Sequence, residues 1–304
     1  MADDIPFDRD FDVPPGRAET VAPLVRRIVA PNPGPFTFTG TCTYIVGKGE
    51  VAIIDPGPDL PAHVDALLNA VNGEKVAQIV ITHTHRDHSP AAKAIQRATG
   101  AKTFGEGPHR AARPIQIDEK TRLDSSGDMD FVPDVRVKDG DIVQGKGYAL
   151  ETVLTPGHTM NHAAYALKGT DILFSGDHVM AWNTSIVAPP DGEMHAYMES
   201  LRKLKRRPET VYFPGHGPAV KNAPAFVDRY IAHRKARETA ILRTLKRGES
   251  DIPSLVRAVY IGLNPKLAGA AALMTFAQLE DLVARKRVIA DSGVPSLASR
   301  FRLA

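Results

Sequence analysis

The run Thr82-His-Thr-His-Arg-Asp-His-Ser-Pro90 constrains the fold of this 304-residue chain more than any other feature. It sets His83, His85, Asp87 and His88 directly after the apolar stretch Gln78-Ile-Val-Ile-Thr82. Three more ligand-type residues each follow a strand-like run: His158 after Glu151–Leu154, Asp177 after Ile172–Phe174, and His216 after Val211–Phe213. Rigid frameworks present functional groups on loops at strand ends. Gly157, Gly176, Gly215 and Gly217 flank these ligands and let the backbone turn sharply beside a bulky centre. Imidazoles and carboxylates in this number suit two neighbouring divalent ions, which make water a nucleophile near neutral pH.

Composition narrows the class. The single cysteine, Cys42, rules out an intramolecular disulfide framework and a Cys-rich zinc site. The acidic, proline-broken start (Met-Ala-Asp-Asp-Ile-Pro) is unlike a secretory leader, and no apolar run stands out as long enough to cross a bilayer. A cytoplasmic protein with no membrane partner is expected. Charge is unevenly spread: residues 221–304 hold 15 Lys/Arg against 7 Asp/Glu, a balance of +8, and the preceding 220 hold 23 against 28, a balance of −5. A basic tail on an acidic body suits nucleic-acid association, though solvated helices are the commoner reading of such charge.

Seven prolines in the first 35 residues suggest irregular chain over the surface. Strands are expected at 41–46 and 51–54 around a Gly47-Lys-Gly49 turn, and at 78–82, 135–137, 148–154, 163–167, 171–174 and 210–213. Helices are expected at 61–72, at 91–99 with Ser89 as N-cap and Gly100 as stop, and at 194–206. Residues 105–130 read as a long excursion. Beyond about residue 223 helices dominate, at 237–247, 253–260 and 273–285, with 287–290 and 299–303 as a short wing. The order fits an α/β sandwich followed by a small α-rich region.

The H-x-H-x-D-H run with its later G-H, G-D and G-H-G elements resembles the metallo-β-lactamase superfamily over roughly residues 36–217. The resemblance implies a four-layer αββα sandwich with metals at one edge. It implies that His83, His85 and His158 bind one ion, that Asp87, His88 and His216 bind the second, and that Asp177 bridges them. Asp55 would orient a ligand histidine. Two divalent ions would then share a hydroxide that attacks the scissile bond, with Asp87 as catalytic proton shuttle. Zinc (Zn2+) is the default for a thiolate-free, His-rich set, with iron or manganese left open.

Within that superfamily the chain is similar to the lactamase-beta-like protein 2 branch. The matching segments are Asn32-Pro-Gly-Pro-Phe36, Gly40-Thr-Cys-Thr-Tyr44, Gly157-His-Thr-Met-Asn-His162 and Phe213-Pro-Gly-His-Gly-Pro218. That likeness implies a catalytic domain at 1–224, a winged-helix-like domain at 225–304, RNA cleavage, and a homodimer. Cys42 stands where the branch has Asn, in a loop expected near the metals, so it is a candidate for tuning substrate preference. His162 is read evenly as substrate contact or holder of a ligand loop, and His178 as a residue beside the ligands or at the surface. His63, His109, His195 and His233 have no supporting spacing and are read as surface residues.

The aromatic and methionine residues around Trp182 are read as packing more than groove. The basic stretch Arg202–Arg207 is read evenly as a phosphate-attracting patch or a solvated helix end. Three functions therefore compete. The first is a dinuclear metallohydrolase cleaving RNA. The second is a hydrolase of a small carboxylic ester, thioester, lactone or β-lactam. The third is a nucleic-acid-binding protein with a structural metal site.

Overall fold

Strands β3 (Cys42–Lys48) and β4 (Glu50–Ile54) show how the layers arise. Cys42, Tyr44, Val46, Ala52 and Ile54 face one core, and Ile45, Val51 and Ile53 face another. Successive residues of a strand point to opposite sides, so a strand apolar at every position must be covered on both. The computed structural model describes residues 5–116, 119 and 125–304. The acidic start at 1–4, and 117, 118 and 120–124 of the expected 105–130 excursion, lie outside the described residues.

The first sheet runs β1 (Glu19–Ala22), β2 (Val25–Val29), β3, β4, β5 (Lys75–Val80), β6 (Lys102–Gly105), β7 (Val135–Arg136), antiparallel up to β4 and parallel from there. The second contains β8 (Ile142–Gly145), β9 (Tyr148–Leu154), β10 (Ala163–Leu167), β11 (Ile172–Gly176), β12 (Val211–Pro214) and β13 (Val220–Lys221) in sequential spatial order. There only β11 and β12 pair in parallel. Between the sheets, Tyr44 packs its ring 5.2 Å from Phe174 and 5.5 Å from Phe213. Helices α1 (Pro61–Ala70) and α2 (Ala92–Thr99) cover the outer face of the first sheet through Val64, Leu67 and Ile95. Helices α3 (Met194–Lys205) and α4 (Ala223–Leu245) cover the second through Tyr197, Leu201, Phe226 and Tyr230. The result is the expected α/β sandwich in four layers.

The remaining chain builds a fourth core. Helices α5 (Ile252–Val259) and α6 (Ala268–Ala284) pack with the end of α4 against a three-stranded antiparallel sheet, β14 (Ser250–Asp251), β16 (Arg300–Leu303), β15 (Val288–Ala290) in spatial order. Its core holds Ile241, Leu245, Leu255, Phe276, Leu279, Leu282 and Phe301. The 224/225 boundary falls in the first turn of α4, whose early residues belong to the sandwich core and whose last belong to this one.

Several local expectations are corrected. The proline-rich start is not wholly irregular: β1 and β2 form a hairpin through Leu24 at φ +62°, and Val25, Ile28 and Val29 are buried. The helix expected at 237 begins at Ala223, because a proline in the first turn, here Pro224, removes no helical hydrogen bond. Ser89 does not cap α2. Its hydroxyl donates instead to Asp128 Oδ2 at 2.7 Å, which pins the excursion after β6. Residues Pro265–Ala284 form 20 helical residues with mean hydropathy 1.3, long and apolar enough for a membrane span by length and composition. Here Phe276, Leu279 and Leu282 of that stretch are buried in the C-terminal core.

Candidate metal centre

The strand ends of both sheets converge on one edge. The loop after β5 carries His83, His85, Asp87 and His88, the loop after β9 carries His158, the end of β11 carries Asp177, and the end of β12 carries His216. Two sets of donor atoms result. Those of His83, His85 and His158 lie within 4.8 Å of one another, as do those of Asp87, His88 and His216. Between the sets stands Asp177, with Oδ2 at 3.7 Å from His158 Nε2 and 3.4 Å from His216 Nε2, and Oδ1 at 3.5 Å from His88 Nε2. Close approach needs Gly215: a Cβ there would lie 2.5 Å from Asp177 Oδ1 and 2.6 Å from His88 Cε1.

Each histidine has its outward nitrogen tied down, which fixes which nitrogen faces inward. His158 Nδ1 donates to Ile186 O at 2.5 Å, His216 Nδ1 to Gly40 O at 3.2 Å, and His85 Nε2 to Asp191 Oδ2 at 2.9 Å. Asp55 holds two at once. His88 Nδ1 donates to Asp55 Oδ2 at 2.9 Å, while Thr82 Oγ1 donates to the same oxygen at 2.6 Å and is left to accept from His83 Nδ1 at 3.0 Å. Asp55 Oδ1 takes the Thr82 N–H at 2.7 Å. The grouping of Asp55 with His83 and His88 is therefore a supporting layer rather than a third ion site.

The inward atoms lack partners of their own kind. His83 Nε2 and His158 Nε2 each lie 3.1 Å from His85 Nδ1, three lone pairs converging on one space. A proton on His85 Nδ1 satisfies one neighbour at a time. His88 Nε2, His216 Nε2 and Asp177 Oδ1 are buried with no hydrogen-bond partner. Unpaired buried polar atoms are costly, and a cation in each space would satisfy them. The donor set thus fits two divalent ions.

Electrostatics agree with that fit for Asp87, Asp177, His83 and His158, whereas neighbouring carboxylates raise His85, His88 and His216, which must give up a proton to a cation. Burial would raise Asp87, but His88 and His216 hold its carboxyl well below the usual carboxylate range. Asp177 behaves alike: burial opposes ionisation, and His216 and His88 outweigh it. Burial lowers His158 to about 4, assisted by the charge of His85. Neutral imidazole and ionised carboxylate are the states that bind metals.

Residues 36–216 match the sequence model of the metallo-beta-lactamase superfamily. The chain belongs to the metallo-β-lactamase superfamily. Among its relatives is a beta-lactamase-like protein 2 homolog of Caenorhabditis elegans, 35% identical over 76% of this chain and 74% of that protein. An atrochrysone carboxyl ACP thioesterase of Aspergillus chevalieri is 28% identical over 86% of this chain and 80% of that one. In fold, the chain is similar to a beta-lactamase domain protein from Burkholderia ambifaria, with a TM-score of 0.78, 20% identity and 96% coverage of both chains. It is also similar to a metallo-beta-lactamase family protein from Thermus thermophilus, with a TM-score of 0.73, 22% identity, and coverage of 94% of this chain and all of that one. The protein is thus a hydrolase of the superfamily with an α/β sandwich, a C-terminal helical region and a His/Asp cluster that could hold metal.

Other expected metallo-β-lactamase positions fall elsewhere. Cys42 opens β3 in the inter-sheet core, fully buried, with Sγ 3.7 Å from Gly217 O. Burial raises its thiol, and it borders none of the cleft described below. Its backbone N–H holds Gly215 O at 2.7 Å, so Cys42 steadies the His216 loop from behind rather than meeting substrate. His162 is also buried. Its Nε2 accepts the Asp177 N–H at 3.2 Å while Nδ1 donates to Thr155 Oγ1 at 2.8 Å, which makes it a holder of the Asp177 loop. His178 is buried beside Tyr197, ring centroids 4.4 Å apart, and burial lowers it to about 3.

Two histidines assigned to the surface are interior. His63 is fully buried against Thr43 Oγ1 at 3.1 Å, and burial lowers it to about 4. His109 sits between Thr84 Oγ1 at 2.9 Å and Asp191 Oδ2 at 3.4 Å, and so backs the oxygen that orients His85. Asp191 was not singled out from the sequence; it lies 106 residues from His85, with no spacing signal. Four of the five cations in the Arg202–Arg207 stretch are paired, Arg207 with Glu209 and Glu151, Lys205 with Asp228, and Arg202 and Lys203 with Glu199 and Asp139.

Over the two donor sets opens a cleft of about 570 Å³. His85, Asp87, His158 and Asp177 form its floor, and its walls include Phe36, Met180, Ile186, Pro189 and Pro190, with Ala270 and Leu273 of α6. Trp182 is largely buried and stacks on Phe38, centroids 4.9 Å apart.

Proposed function

We propose that the chain is a dinuclear metal-dependent hydrolase of carboxylic esters or thioesters. The apolar lining of the cleft carries this reading: Phe36, Met180, Ile186, Pro189, Pro190 and Leu273 surround the donor sets, and among the described residues lining it Arg86 is the one Lys or Arg. His83, His85 and His158 would hold one ion, Asp87, His88 and His216 the other, with Asp177 between. Zinc suits this thiolate-free set. Two bound cations would supply an activated water and stabilise negative charge developing on the carbonyl oxygen.

The chain's own residues do the rest. Asp87 has the most exposed side chain of the ion-paired ligand residues, 27% against 17% for His85, and it stays ionised, so its carboxylate can take a proton from the attacking water. Asp55 and Asp191 keep the imidazoles aimed. The apolar walls exclude bulk water and orient an acyl group over the floor. The thioesterase named among the relatives supports the same bond type.

Cleavage of RNA phosphodiesters is the second reading, favoured by the +8 balance of residues 221–304 and the branch resemblance. The order α4, β14, α5, α6, β15, β16 supports a winged-helix-like reading of that region. However, α6, the helix such a fold would lay in a groove, lines the cleft and ties to the sandwich through Glu280 and Arg113 at 2.6 Å. A substrate panel on zinc-loaded protein, with bound metal counted, decides between them. We expect about two ions per chain and acyl thioester turnover that falls sharply in Asp87→Ala. RNA cleavage lost in Asp87→Ala, with esters and thioesters inert, overturns the assignment.

A further inference from the structure

Beside the cleft lies a second cavity of about 380 Å³. Phe36, Met180, Ile186 and Ala270 border both spaces, so the two adjoin along one seam. Its walls come from both parts of the protein, with Trp182 from the sandwich facing Leu263, Leu267, Ala271 and Met274 from the C-terminal region. Asn183, Thr184 and His233 line it as well, with Arg9 and Arg237, and no carboxylate is among the described residues that do. Arg9 donates to Trp182 O at 3.3 Å, and Arg237 donates to Val259 O at 2.7 Å and lies 4.7 Å over the Tyr260 ring. Such cations present their methylene stems as apolar wall while the heads bond elsewhere.

We propose that this second cavity receives the acyl chain of the substrate, and that the substrate class is an ester or thioester of a linear, apolar acyl group. The inference rests on the hydrolase reading above. Two spaces adjoining in series suit a chain rather than a fused ring system. A hydrocarbon tail also asks for no hydrogen bonds, whereas the alcohol or thiol arm of such substrates carries groups that do. The carbonyl sits over Asp87 and Asp177, and the tail crosses the Phe36–Ala270 seam. Water's oxygen then bonds to the acyl carbon, the C–O or C–S bond breaks, and the alcohol or thiol leaves with one of water's protons.

The test measures kcat/KM on zinc-loaded protein for acetyl, butyryl, hexanoyl, octanoyl and lauroyl thioesters of one small thiol. Burying each methylene should raise kcat/KM about threefold until the cavity is full, then level off. Ala270→Trp at the seam and Leu267→Trp in the wall should each lower the octanoyl-to-acetyl ratio at least about tenfold. A ratio within one protein is independent of the fraction folded. The single tryptophan, Trp182, gives a readout without turnover: octanoate should change its emission and acetate should not. Turnover that is flat with chain length, ratios unmoved in both variants, or emission silent to octanoate overturns the acyl-chain cavity while leaving the hydrolase assignment standing. Failure to turn over any ester or thioester overturns that assignment, and this inference with it.

Discussion

Asp55 touches nothing in the cleft and yet bears on both donor sets, on His88 directly and on His83 through the Thr82 hydroxyl. Asp55→Ala should therefore weaken metal binding about 10- to 100-fold, read by competition with a chromophoric chelator, with the fold kept. Asp87→Ala should cost about 10²- to 10⁴-fold in kcat, the usual weight of a positioned proton acceptor. Metal uptake should also carry a pH signature. Burial alone would lower His88, but Asp87, Asp177 and Asp55 outweigh it and push it up to about 9. Below that pH the proton must leave before Nε2 can take a cation. Uptake should then release protons, and apparent affinity should rise with pH up to about 9, which an indicator dye detects in weakly buffered solution. At this scale the ligand-type residues were legible because a tight run and glycine-flanked strand ends are local patterns. His109 and Asp191 were not, because a residue that supports a ligand needs only to touch it, and sequence distance then carries no signal.

Among the elements, α6 works hardest: it belongs to the C-terminal core, walls the cleft, and anchors to the sandwich through Arg113. That guanidinium is shared by Glu119, at 2.6 Å, and Glu280. Burial raises Glu280 to about 7, and Arg113, divided between two carboxylates, only partly counters it. An acid whose folded pKa lies above its unfolded value leaves stability intact below the unfolded pKa, here 4.5, and removes it as pH rises through the folded one, near 7. Wild-type stability should carry a component of about 2 kcal/mol lost between those limits, discounted for partial exposure. Glu280→Gln, which still accepts from Arg113, should abolish that component in denaturant melts across the range. An unchanged pH profile would show that Glu280 is already well compensated. Strands were legible wherever apolar runs met turn signals, as in β3, β4 and β9. The β1–β2 hairpin was missed because prolines outweighed the Val25–Val29 run.

At the scale of the whole molecule, order along the chain announced a sandwich and a helical appendage, but not that the appendage roofs the cleft, since that contact is made by small and apolar residues such as Ala270 and Leu273. Stability should depend on the metals too: a ligand bound only by the native state stabilises it by mass action, so chelation should lower the melting midpoint and zinc should restore it. The two cores share α4, whose 23 residues span about 35 Å without a break. Calorimetry should accordingly show one heat-absorption peak rather than two, because melting the C-terminal core unravels a helix the sandwich also needs. The same continuity limits motion. The C-terminal core, whose α6 walls the cleft, follows the sandwich on that continuous helix rather than on a linker, so swinging it away would bend a helix both cores pack against. We expect a substrate to thread in along the length of the cleft rather than be clasped from above.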